Sequence, residues 1–228
     1  MPMDLSQLNA EIVTCRKCPR LVEWREHVAR IKRRAYRDQE YWGRPVPGFG
    51  DLRARILVVG LAPGAHGSNR TGRAFTGDGS GNFLYPALFR AGFANQPDAT
   101  SREDGLTLTD VYITAVGRCA PPANKPTSEE LDNCQPFLEH ELHILKPKVI
   151  VVLGRIAFER ILRIYSAPLP DFKFGHAATF RLPHSSSKDG PWLLASYHPS
   201  LQNTQTGKLT MSMFDAVWAK ARELAEAE

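Results

Sequence analysis

Residues 55–64 read RILVVGLAPG, a short apolar run that breaks into glycine and proline. Such a run, closed by glycine, is the pattern of a buried strand, here residues 55–59. Its reading decides the fold because three comparable runs follow, at 111–116, 149–153 and 192–197. Helix-like stretches lie between them at 80–92, 128–145 and 155–164, and a last amphipathic stretch runs from 211 to 227. Near-continuous apolar strands alternating with helices predict an α/β fold with a parallel sheet covered on both faces. In such sheets ligands bind at the carboxyl ends of the strands. The four strand exits are all unusual: GLAPGAHGSN, AVGRCAPPANKP, GRIAF and SYHPSLQNTQTGK.

Helix 128–145 takes Thr127 or Ser128 as its N-cap, with Leu131, Phe137 or Leu138, Leu142 and Leu145 at helical spacing, and it carries Cys134. Stretch 166–190, rich in Pro, His and Ser, reads as a surface excursion before the last strand. With 228 residues the chain is expected to form one domain, 1–228, with a basic N-terminal arm at 1–54. No apolar run is long enough to span a bilayer and the first ten residues carry no apolar core, so a cytoplasmic protein without membrane contact is expected. The formal net charge is +5, and Arg30, Lys32, Arg33, Arg34 and Arg37 crowd one segment of the arm. A solvated helix face and a nucleic-acid contact are both open readings of that segment.

The chain has four cysteines: Cys15 and Cys18 in a C-x-x-C, Cys119 just past a strand, and Cys134 in the next helix. In a reducing compartment the choice lies between metal ligands and buried thiols, and four thiolates suit zinc or an iron–sulfur cluster. Such a site would staple the basic arm to the sheet.

The glycine-rich exit, residues 60–84, invites a phosphate-cradle reading. It lacks G-x-G-x-x-G and the Gly-Lys-Ser/Thr ending of a P-loop, and it contains Phe75 and Asp78, which have no duty in holding phosphate. In the last exit, Pro199 pushes His198 into extended backbone, so its imidazole projects from the strand end.

The combination GLAPG, FTGDGSG, CAPPANKP and YHPS, with all four cysteines, resembles the uracil-DNA glycosylase superfamily, and within it the type-5, broad-specificity branch. The resemblance covers essentially the whole chain. It implies a three-layer α/β/α sandwich around a four-stranded parallel sheet, and a 4Fe–4S cluster on Cys15, Cys18, Cys119 and Cys134. It implies a monomeric, monofunctional enzyme that excises deaminated bases from DNA, uracil first and hypoxanthine or xanthine with it, leaving an abasic site. Gly60, Leu61 and Ala62 would wall a pocket for the flipped base, and Phe75 would stack on it. His198 would donate to the base oxygen as negative charge develops there, and Asp78 would stabilise the cationic sugar or orient water, or cap the following helix. Other branches carry a polar residue where this chain has Leu61 or Ala62, so water activation falls to Asp78 or Asn124. The type-4 branch has an asparagine where this chain has Ala115, which predicts a less discriminating pocket. Ser200, Thr206 and Lys208 would contact phosphates, and 201–203, including Asn203, would enter the gap left by the flipped nucleotide. The competing readings are a non-catalytic nucleic-acid-binding module with a zinc or iron–sulfur site, and a nucleotide-binding enzyme that uses the glycine loop.

Overall fold

A strand whose side chains are aliphatic on both faces is stable only between two covering layers. The computed structural model, which describes residues 4–183 and 190–227, supplies both. In chain order the strands are β1 (Phe49–Gly50), β2 (Ile56–Gly60), β3 (Val111–Ala115), β4 (Val149–Leu153), β5 (Thr179–Arg181) and β6 (Trp192–Ser196). The longer helices are α1 (Leu5–Thr14), α2 (Pro19–Ile31), α4 (Gly81–Arg90), α5 (Ser128–Leu145), α6 (Arg155–Ile164) and α8 (Met211–Glu226). Single-turn helices α3 (Ser68–Thr71) and α7 (Leu201–Gln205) sit in the first and last strand exits.

The predicted four-stranded parallel sheet is present in the order β3-β2-β4-β6, and antiparallel β1 and β5 extend it to six strands. On one face, Ile56, Val58, Val111, Ile113, Val149, Val151 and Leu194 pack with Leu84 and Leu88 of α4 and with Phe214, Val217 and Trp218 of α8. The alternate residues Leu57, Val59, Tyr112, Ile150, Val152 and Leu193 pack with α1, α5 and α6 on the other face. Each Val, Leu or Ile buried this way contributes about 1.5–3 kcal/mol. The result is the expected three layers, α/β/α.

Thr127 is the N-cap of α5: its hydroxyl accepts from Glu130 N at 3.2 Å, and Glu130 Oε2 accepts from Thr127 N at 2.7 Å. The stretch 166–190 holds a 3₁₀ turn, Leu169–Asp171, and β5, so it is partly ordered sheet edge; its residues 184–189 lie outside the described residues. Among the described residues no helix is long and apolar enough to cross a membrane.

The chain leaves β2 to form β3 on one side, then returns to form β4 on the other. The two carboxyl ends diverge there, and a crevice opens between them. Gly60 pairs with Ala115, and Leu153 with Ser196, so all four exits reach the same sheet edge.

Candidate active site and cysteine cavity

A cleft of about 750 Å³ lies at that edge. It gathers Gly60, Leu61, Ala62, Phe75, Asp78, Ala115, Asn124, His198 and Ser200 from three of the four exits, while Arg33, Tyr36, Val46 and Pro47 of the N-terminal arm complete its wall. Asn203 and Lys208 are not part of the lining. Asn203 Nδ2 instead donates to the His198 carbonyl at 2.8 Å, and Lys208 Nζ lies 4.9 Å from the Tyr197 ring centroid. Ser200 and Thr206 spend their hydroxyls on α7: Ser200 Oγ accepts from Asn203 N at 3.3 Å, and Thr206 Oγ1 donates to Gln202 O at 2.6 Å. The phosphate roles expected for Ser200 and Thr206 are thus overlaid by helix capping. Leu201 stands 55% exposed at the rim.

The glycines of the first exit make room for two side chains folding back over the strand end. A Cβ on Gly60 would lie 2.8 Å from Phe75 Cζ, and one on Gly67 would lie 2.0 Å from Asp78 Oδ2. Phe75 has φ +51°, a left-handed backbone that a bulky residue adopts only under constraint. Its carbonyl occupies the space a side chain at Gly81 would need, 1.7 Å from the Cβ position. The loop therefore presents an aromatic ring from a strained backbone, its centroid 5.9 Å from that of His198 at an interplanar angle of 33°.

Asp78 Oδ1 accepts from Ser80 N at 3.0 Å and Gly81 N at 3.1 Å, so it caps α4, the role left open from sequence. Burial pushes its carboxyl above the usual aspartate range, opposed by those two N–H groups and by the Arg70 guanidinium. Arg70 was not singled out in the sequence. It donates to His66 O at 2.8 Å, Gly77 O at 2.8 Å and Gln39 Oε1 at 2.6 Å and lies 4.0 Å from the Tyr36 ring centroid, which locks it beside the loop. Burial lowers the His198 pKa to about 4, so its imidazole is neutral at physiological pH. Among the described residues no hydrogen bond engages its ring nitrogens, which leaves the ring N–H to a ligand in the cleft. The site thus holds a carboxylate, a neutral N–H donor and an aromatic face.

The four cysteines share a second cavity, lined also by Lys17, Leu21, Val22, Pro45, Arg118 and Asn133. Cys15 ends α1, Cys18 precedes α2, Cys119 follows β3 and Cys134 lies within α5. Burial raises the pKa of the thiols of Cys18, Cys134 and Cys119, the last to about 12. Two side-chain N–H donors reach sulfur: Arg25 to Cys119 at 2.8 Å and Asn133 to Cys18 at 3.5 Å. Among the described residues no group of three or more His, Cys, Asp or Glu is arranged to hold a metal ion. Arg118 lines both cavities and is buried in an ion pair with Glu141 at 2.5 Å, which also accepts from Thr114 Oγ1 at 2.8 Å. Neither Arg25 nor Arg118 was noticed in the sequence. For Arg25 a signal existed, since Leu21, Val22, Arg25 and Val28 share the buried face of α2 at helical spacing.

The profile of the uracil DNA glycosylase superfamily matches residues 47–222 of the chain. A type-5 uracil-DNA glycosylase of Thermus thermophilus is 53% identical over 224 residues, covering 98% of this chain and 99% of that protein. One from Pyrobaculum aerophilum is 46% identical over 92% of this chain and 88% of its own length. A type-4 uracil-DNA glycosylase of the same organism is 33% identical over 71% of this chain and 66% of its own.

Proposed function

The chain belongs to the uracil DNA glycosylase superfamily, and from that premise we propose that it hydrolyses the N-glycosidic bond of uracil in DNA and leaves an abasic site. The observation that carries the reading is the convergence of Asp78, His198 and Phe75 on one cleft at the strand exits. Breaking the bond between deoxyribose and base leaves an oxocarbenium-like sugar and an anionic base. Asp78 supplies negative charge for the first, and the neutral His198 N–H supplies a donor for the second. A base extruded from the duplex loses its stacking partners at a cost of a few kcal/mol, and the exposed face of Phe75 replaces one of them. Water is oriented by Asp78 or by Asn124, since Leu61 and Ala62 offer no polar side chain. Among the described residues lining the cleft there is no lysine, and a monofunctional glycosylase that cuts no strand needs none.

Three finer points belong to the same reading. Ala115 offers the base no amide, so hypoxanthine and xanthine are substrates beside uracil. The four thiols around one cavity, with N–H donors on two of the sulfurs, are the donor set of a 4Fe–4S cluster, and the cysteines would hold it as thiolates. That cluster would tie the arm to the sheet and leave the glycosidic chemistry to the cleft. One chain supplies the whole constellation, so the proposed activity needs no second copy. The test is an end-labelled duplex with a single uracil, incubated with the protein and then treated with alkali. Cleavage only after alkali is the expected result; no alkali-labile site would leave a DNA-binding module.

A further inference from the structure

Arg25 is 2% exposed, and it lies where a helix facing the interior normally carries an aliphatic residue. A buried guanidinium needs a compensating charge in contact with it. The nearest carboxylate, Glu26, is 4.0 Å away, 43% exposed, and already held by Arg16 at 2.5 Å. The contacts Arg25 does make are to sulfur and backbone: one terminal nitrogen donates to Cys119 Sγ at 2.8 Å, the other to the Cys15 carbonyl at 3.2 Å, and its Nε has no partner. The fork therefore touches two of the four cysteines, the sulfur of Cys119 after β3 and the backbone carbonyl of Cys15 on the arm. The Arg25 backbone is tied to the glycine loop, as Asn69 Nδ2 donates to the Arg25 carbonyl at 3.2 Å.

We propose that Arg25 is a positioning residue for the metal centre: its cationic N–H holds the Cys119 sulfur as a thiolate ligand and stabilises the more negatively charged state of the cluster. The inference rests on the 4Fe–4S reading above. A positive charge and an N–H···S bond at a ligand sulfur favour the reduced cluster, so they raise its reduction potential. The electron exchanged in such a measurement comes from the electrode, and no bond is made or broken.

The test uses the purified holoprotein with Arg25→Gln and Arg25→Lys beside the unaltered chain, reading iron and acid-labile sulfide, the visible spectrum, and the midpoint potential by film voltammetry. Arg25→Gln is expected to keep its iron and shift the potential to more negative values, and Arg25→Lys, which keeps the charge, to restore most of the shift. An unchanged potential in iron-loaded Arg25→Gln overturns the proposal. If Arg25→Gln holds no iron, Arg25→Lys decides: iron retained at close to the unaltered potential supports the role of the cation, and a lysine variant that also holds no iron, or whose potential departs from the unaltered one, overturns it. An unaltered protein that contains no iron sinks the cluster reading itself, and this inference with it.

Discussion

In the proposed mechanism His198 and Asp78 divide the charge problem of glycosidic cleavage between them, and each role has its own signature. Replacing His198 by Ala removes the donor to the departing base, and loss of one such donor costs about 10² to 10³ in rate. A single-turnover rate on uracil within about threefold of the unaltered enzyme, less than about 1 kcal/mol, would remove His198 from that role. The pH profile tests the protonation states. Burial holds the His198 pKa at about 4, so the imidazole is neutral on both sides of the ordinary histidine pKa near 6.5, and no inflection is expected there. The Asp78 pKa is pushed up, so as pH falls its carboxylate is lost earlier than an ordinary aspartate and the acid limb begins at higher pH. Ala115 is the third residue with a distinct prediction. An asparagine there would offer its carbonyl to uracil N3–H and its N–H₂ to O4, whereas a purine would crowd the amide or leave its donors unpaired. Unpaired buried donors cost about 1–3 kcal/mol, which is roughly tenfold to a hundredfold in selectivity. Ala115→Asn is therefore expected to keep uracil excision and lower hypoxanthine excision. A ratio of single-turnover rates that stays fixed would take Ala115 out of the specificity pocket.

The glycine-rich exit of β2 works as an element because its glycines are shaped by the side chains that lie on it. Gly67→Ala puts a methyl group 2.0 Å from Asp78 Oδ2 and 2.6 Å from its Cγ, so the carboxylate must move. Overpacking of this kind costs about 1–3 kcal/mol in stability, and the displaced carboxylate is expected to lower the cleavage rate. Gly175→Ala is the control, since its new Cβ would meet nothing closer than 3.9 Å. A Gly67→Ala enzyme with an unaltered rate would show that the loop does not aim Asp78. The elements were legible to different degrees for physical reasons. Strands β2, β3, β4 and β6 stand out because burial on both faces demands unbroken aliphatic runs, and α5 because Thr127 and Glu130 form a local capping box. Strands β1 and β5 are two and three residues long, too short to carry a period, and exist only by pairing with β3 and β6. In the site, Phe75, Asp78 and His198 could be picked out by residue type and motif. Arg70 and Arg25 were missed because their partners are carbonyls, a ring and a sulfur brought close only by the fold.

At the scale of the whole molecule the two cavities are parts of one arrangement. The arm carries Cys15 and Cys18 on one side, and further along it sends Arg33, Tyr36, Val46 and Pro47 into the wall of the cleft. The sheet side supplies Cys119 and Cys134, and Arg118 lies between the two cavities, its buried charge neutralised by Glu141. On the proposed reading, a metal centre bound by these thiolates would contribute its binding free energy to folding, so loosening it would free the arm. The cleft wall would loosen with it, although the changed residue touches no DNA. Cys119→Ser removes one soft ligand with almost no change in shape. It is expected to lower thermal stability and affinity for abasic-site duplex together, and to lower the affinity by more than His198→Ala does, since His198 acts on the departing base. Thermal unfolding and fluorescence anisotropy on the same preparations measure the two quantities. If Cys119→Ser unfolds at the temperature of the unaltered protein and binds abasic DNA equally well, the cysteines are packed core and the arm is held by its other contacts, among them α1 against α5, α2 against α3 and β1 against β3.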